Sequence, residues 1–132
     1  MFSLPSGLRY YLYSEGTDMR NSFDGLSGIV KNELKGDPLS GDVFIFINKR
    51  RNCIKLLRWE TGGFVLYYKR LEAGTFEMPK EIFLRQKSCL EWSELVMMIE
   101  GISFQNIQRR KRFSLHRSEK TPETTPLTMN NF

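Results

Sequence analysis

The sequence predicts an α+β domain: an antiparallel β-meander packed by one amphipathic helix, with a short second helix near the C-terminus. Three observations carry that expectation. Met19, Phe23, Leu26, Val30 and Leu34 recur at spacings of 4, 3, 4 and 4, which lines one face of a helix. Three runs rich in β-branched and aromatic residues, VFIFINKR, CIKLLRWE and FVLYYKRL, follow one another with only short turn-forming breaks between them. The chain of 132 residues, 40% hydrophobic and 27% charged, has the composition of a single globular domain rather than of a disordered chain.

Along the chain, LRYYLY at 8–13 reads as a strand bounded by Pro5, Gly7 and Gly16. The helix follows, with Thr17 or Asp18 as its cap and Gly36, Asp37 and Pro38 as its stop. Gly25 and Gly28 lie inside it at a cost of up to about 1 kcal/mol each relative to Ala, so a close approach to a sheet or a partner backbone is expected there. VFIFI is apolar on both parities, the mark of a central strand covered on both faces. The next two strands complete the meander, although the sequence does not decide their register. TFEM before Pro79 is a candidate short fourth member. KEIFLRQKSCLEW reads as loop, and Ser93 caps a helix over ELVMMIE that stops at Gly101. The domain is expected to span residues 1–104, followed by a basic, disordered tail over 105–132.

Charge is the unusual property. The net charge is +5, but residues 48–72 hold seven Lys or Arg against two Glu, and residues 105–120 hold six against one. Clusters of this kind attract polyanions. Lys49, Arg50 and Arg51 fall at a turn where structure does not demand three consecutive charges. Lys55, Arg58, Lys69 and Arg70 lie among Trp59, Phe64 and Tyr68, cations of the type that contact phosphates and rings of the type that stack on bases in nucleic-acid binders. The competing reading is a hairpin whose apolar middle packs and whose Lys and Arg stems cover its rims. Arg109, Arg110, Lys111 and Arg112 form a second candidate contact, an electrostatic arm.

Catalytic signals are sparse. His116 lies in the expected tail, and no phosphate-loop, dinucleotide or HExxH pattern occurs. Asp18, Asp24 and Glu60 are the carboxylates that a two-metal nuclease would need to bring together. Asp18 and the neighbouring acids have structural explanations as caps and stops, so no enzyme and no cofactor is expected. Cys53 and Cys89 are too few and too far apart for a zinc cluster and read as reduced, packed thiols. The absence of a basic leader and of a long apolar run leads to the expectation of a cytoplasmic protein with no membrane partner.

An ordered series of short motifs adds a resemblance. Thr17-Asp18-Met19-Arg20, Phe23-Asp24-Gly25-Leu26, Asp37-Pro38 with Ser40-Gly41, Val43-Phe44 with Phe46, Lys55-x-Leu57, Trp59, and Tyr68-Lys69-Arg70-Leu71-Glu72 with Gly74 and Phe76 occur in that order. Over about residues 3–104 the chain resembles the TnpB accessory proteins, or second open reading frame, of the IS-sixty-six family of bacterial insertion sequences. Glu60, where the family usually has Asp, and Met78, where Trp is common, depart from its pattern. The resemblance implies participation in DNA transposition beside a further small accessory protein and a separate transposase, which carries the cutting and joining chemistry. Two molecular roles then compete: direct binding of DNA, and a protein adaptor that docks on the transposase through the same surface or through the Gly25/Gly28 helix.

Overall fold

The structure is a computed structural model that describes residues 4–85 and 88–102. Its elements are β1 (Tyr10–Leu12), α1 (Phe23–Asn32), β2 (Val43–Ile47), β3 (Cys53–Glu60), β4 (Gly63–Arg70), a 3₁₀ turn (Ile82–Leu84), β5 (Cys89–Leu90) and α2 (Trp92–Glu100). They build one five-stranded sheet in the order β4-β3-β2-β1-β5. The α+β class and the β2-β3-β4 meander are as the sequence predicts.

Around that meander the strands add differently. β1 pairs with β2 in parallel, Tyr10 opposite Val43 and Leu12 opposite Ile45. Parallel neighbours need a crossover, and α1 supplies it. β5, inside the stretch expected to be loop, pairs antiparallel with β1. TFEM is not a strand. Its buried Phe76 makes a single backbone bond, N–H to the Arg51 carbonyl at 2.7 Å.

Five consecutive buried residues make β2 the centre of the sheet. On one face Phe44, Phe46 and Leu57 form a buried cluster with Leu26 and Val30 of α1, joined at its margin by Tyr11, Tyr13, Met19, Phe64 and Leu66. Residues of the opposite parity, among them Tyr10, Leu12, Ile45, Ile54 and Leu56, are also fully buried. α2 contributes buried Leu95, Met98 and Ile99, and the Ile99 carbonyl accepts from Lys69 Nζ, on that same parity, at 2.8 Å. α2 therefore covers the second face. Truncating a buried aliphatic such as Ile45 or Leu56 to Ala would cost about 2–5 kcal/mol.

Helix ends differ from expectation where other bonds compete for the capping residues. α1 starts at Phe23 after Ser22, not at Thr17 or Asp18. Thr17 is held by its N–H on the Ile47 carbonyl at 2.9 Å, which extends the track of β1. The Asp18 carboxylate accepts from the Arg20 N–H at 2.9 Å and so closes a local turn instead of a helix. At α2 the N-cap is Glu91, in a reciprocal capping box with Glu94, and Ser93 lies within the helix. Gly101 ends α2 at φ +79°.

The expected close approaches at the α1 glycines take another form. A Cβ on Gly28 would meet nothing within 4 Å, whereas one on Gly25 would fall 2.3 Å from Asn21 Oδ1. Gly25 makes room for a side chain, not for a second backbone.

Candidate nucleic-acid interface

The β2–β3 connection is Asn48-Lys49-Arg50-Arg51-Asn52, and its two asparagines explain its shape. Asn48 Oδ1 accepts from the N–H groups of Asn52 at 3.0 Å and Cys53 at 2.9 Å, while its amide donates to Asn52 Oδ1 at 2.7 Å. The Arg51 N–H donates to the Asn48 carbonyl at 2.9 Å. An Asn side chain thus satisfies the backbone groups that the turn leaves over, which is why Asn favours such positions.

Arg51 sits at φ +62°. That left-handed conformation costs a non-glycine residue about 1–2 kcal/mol. The neighbours hold it there. Its carbonyl accepts from the Phe76 N–H and the Asn52 carbonyl from the Leu71 N–H, each at 2.7 Å. From the other side Gly16 packs so closely that an added Cβ would lie 3.0 Å from Lys49 Cα. On this fixed backbone Lys49, Arg50 and Arg51 are all exposed, and none is ion-paired among the described residues.

The register brings a fourth cation to this end of the sheet. Arg70 lies opposite Cys53, the first residue after the turn. Its exposed guanidinium pairs with Glu72 at 3.1 Å, a surface pair of the kind worth about 0–1 kcal/mol.

The other three hairpin candidates are used by the fold. Lys55 is buried, 5% exposed, and Nζ donates to the Met19 carbonyl at 2.8 Å and the Asn21 carbonyl at 2.6 Å. It pins the loop ahead of α1 and points away from solvent. Lys69 donates to the α2 carbonyl of Ile99, a position where a cation also meets the negative end of the helix dipole. Arg58 lies toward the far end of β3, opposite Val43 and Val65, and pairs with Glu60 at 3.2 Å. Arg109, Arg110, Lys111 and Arg112, the expected tail and His116 lie outside the described residues.

The nuclease carboxylates do not converge. Arg20 grips Asp18 through Nη2 at 2.6 Å and Nε at 3.0 Å, and these bonds hold its carboxyl down at about 2. Asp18 belongs to the loop that Lys55 reaches, whereas Glu60 lies five residues farther along β3, about 17 Å at strand rise. Among the described residues no three His, Cys, Asp or Glu side chains are placed to share a metal. Cys53 and Cys89 are both free thiols, Cys53 buried.

Sequence reasoning passed over one feature of this surface and left another undecided. Asn48 and Asn52 flank the three cations, and that bracketing is itself a turn signal. Tyr68 is 52% exposed, with Lys55 Nζ 4.7 Å from its ring centroid. Its ring is of a type that stacks on bases, but its exposure has no sequence signal because it depends on β4 being the sheet edge. A concavity of about 490 Å³ lies by the C-terminal end of α1, lined in part by Arg9, Lys35, Asp37 and Asp42. Arg9 and Asp42 satisfy each other there at 3.2 Å.

Comparison with known proteins gives a family. The family model described as "IS66 Orf2 like protein" matches residues 8–109. The chain is similar to "Uncharacterized protein y4jC" of Sinorhizobium fredii (strain NBRC 101917 / NGR234), 29% identical over 106 residues that cover 79% of this chain and 87% of that protein. It is also similar to "Uncharacterized protein y4hO" of the same strain, 38% identical over 79 residues covering 58% of this chain and 68% of the other. No solved structure matches it.

Proposed function

Because the chain belongs to the IS66 Orf2-like family of insertion-sequence proteins, we propose that it is a non-catalytic accessory factor of DNA transposition. In this reading it binds DNA beside a separate transposase that cuts and joins. The observation that carries the reading is the turn of Lys49, Arg50 and Arg51: three adjacent cations, exposed on an over-determined backbone and without ion-pair partners among the described residues. Folding alone gives no reason to hold three like charges together. A phosphate backbone does, since each contact releases condensed counterions.

Arg70 extends the contact from the neighbouring strand. Its bond to Glu72 is weak enough to be exchanged for a phosphate. Lys55 and Lys69 contribute indirectly, by holding the loop and the helix that flank the sheet, while Arg58 lies toward the other end of β3. Sequence reading of bases is not part of the proposal.

The test is a titration of duplex DNA at two salt concentrations with the full chain and with a variant carrying Lys49→Ala, Arg50→Ala and Arg51→Asn. Asn tolerates the left-handed position. The wild type should bind with a steep salt dependence, and loss of three phosphate contacts should reduce the slope of log affinity against log salt by about 3. Absence of binding at low salt removes the proposal.

A second reading has its own observation. The 3₁₀ turn exposes Leu84 at 87% and Phe83 at 45%, apolar surface that a protein adaptor would use against the transposase. Retention of the transposase by the immobilised protein in nuclease-treated lysate, lost on Phe83→Ser with Leu84→Ser, would support it. Loss of the complex on nuclease treatment alone would leave DNA bridging as the explanation.

No helix among the described residues is long and apolar enough to cross a membrane. We place the site of action where the element's DNA is, in the cytoplasm.

A further inference from the structure

Tyr68 is the only aromatic of the β2-β3-β4 meander with more than half of its surface exposed, at 52%. Its ring is nevertheless held. The Lys55 ammonium lies over it, 4.7 Å from the centroid, and the Tyr68 hydroxyl donates to Cys53 Sγ at 3.8 Å. Lys55 is itself fixed by the Met19 and Asn21 carbonyls. The ring therefore rests on an immobile cation with about half of its surface in solvent, and ordering it on binding would sacrifice little side-chain freedom.

Its neighbours are cations. Arg70 lies two residues along β4 on the same side of the strand, about 6.8 Å away. Arg70 is opposite Cys53, where the chain leaves the Lys49–Arg51 turn. Ring and guanidinium thus lie on the edge strand, and the register sets Arg70 at the end of the sheet that carries the turn. Aromatic rings beside a cationic track are what single-stranded nucleic acid uses, because every unpaired base offers a face to stack. Bases in an intact duplex are already stacked and can reach such a ring only by being extruded.

Resting on the reading of this surface as a DNA contact, we propose that Tyr68 is a stacking platform for an unpaired base of single-stranded DNA, with Arg70 and the turn cations holding the flanking phosphates. The protein then favours single-stranded or opened DNA over the fully paired duplex.

The experiment measures fluorescence anisotropy with the full chain and three DNA probes: a single strand, its duplex, and the same single strand carrying abasic sites throughout its centre. Wild-type protein should bind the abasic strand about ten-fold more weakly than the base-bearing strand, since the phosphates are unchanged and only stacking is lost. Tyr68→Leu should lower affinity for the base-bearing strand by about ten-fold, abolish the difference between the two strands and leave duplex binding unaltered. Tyr68→Phe and Tyr68→Trp, which keep a ring, should retain the preference. Equal binding of the abasic and base-bearing strands by the wild type overturns the inference however Tyr68→Leu folds. If duplex binding then still falls steeply with salt, the phosphate contact stands without the stack. No binding of any probe at low salt overturns both.

Discussion

Lys55 and the Lys49–Arg51 turn are near neighbours in one hairpin, yet their charges have opposite fates. Lys55 points inward on a strand buried from Cys53 to Leu57, and two backbone carbonyls take up its ammonium. The turn cations sit where the strands end, on a backbone satisfied by Asn48 and by the chain that follows β4, and their heads stay in solvent. One group of charges helps to build the surface and the other is displayed on it. Local density of Lys and Arg is therefore a poor guide to an electrostatic site until it is known which of them the fold has already used.

The largest effect expected from this contrast comes from the buried charge. Lys55→Met removes both carbonyl contacts and should cost about 2–4 kcal/mol, read as a lowered urea midpoint, because hydrogen bonds from charged groups are among the stronger ones. Its effect on duplex DNA affinity per folded molecule should be small. If stability is unchanged and DNA binding collapses instead, Lys55 is a contact residue and the division drawn here is wrong.

Asn48→Ala tests whether the displayed charges depend on a preformed turn. Losing the side-chain acceptor for two N–H groups should destabilise the domain by about 1–2 kcal/mol. It should also weaken DNA binding at constant net charge, which separates preorganisation from charge. Unaltered affinity would mean that the three cations act as a loose cluster.

Far from the turn, Arg85 pairs with Glu94 at 2.5 and 2.8 Å and holds that carboxyl below its ordinary value. A carboxyl lowered in the folded state adds stability that is present above its unfolded pKa of about 4.3 and is lost as pH falls through the folded value. Glu94→Gln should accordingly flatten the acid limb of the stability profile below about pH 4 and leave duplex binding at neutral pH as it was. A change in DNA affinity would show that the ends of the molecule are coupled.

The smallest stability effect belongs to the displayed charges. Lys49→Ala with Arg50→Ala should shift the unfolding free energy by no more than about 0.5 kcal/mol, as surface substitutions do. A clear gain in stability on removing them would indicate mutual repulsion tolerated for the sake of a ligand.

Periodicity made much of this fold legible. Of the 4-3-4-4 series from Met19 to Leu34, Leu26 and Val30 pack on the sheet from α1, Met19 and Leu34 join them from outside the helix, and Phe23 at the first helical position is exposed. The five-residue apolar run of β2 marks a strand covered on both sides. Turn residues at Thr61 and Gly62 place the β3–β4 hairpin, with Glu60 opposite Gly63. The helix starts were misplaced because Asp18 and Ser93 are good capping residues, and what decides between candidates is which other groups compete for their bonds. β5 is two residues long and has no period to detect.

The sequence by itself determined the class of fold, the meander and the concentration of cations in one hairpin, because each rests on local spacing and composition. Tertiary structure alone decided that β1 joins β2 in parallel and that β4 is an edge. It also decided that Lys55, Lys69 and Arg58 are engaged by the fold while Lys49, Arg50, Arg51 and Arg70 share one end of the sheet. The physical reason is that a side chain's role follows from the groups opposite it, and pairing partners distant in sequence leave no local signature. A one-residue change in the register of β3 would have turned its alternate residues, Lys55 among them, to the other face of the sheet.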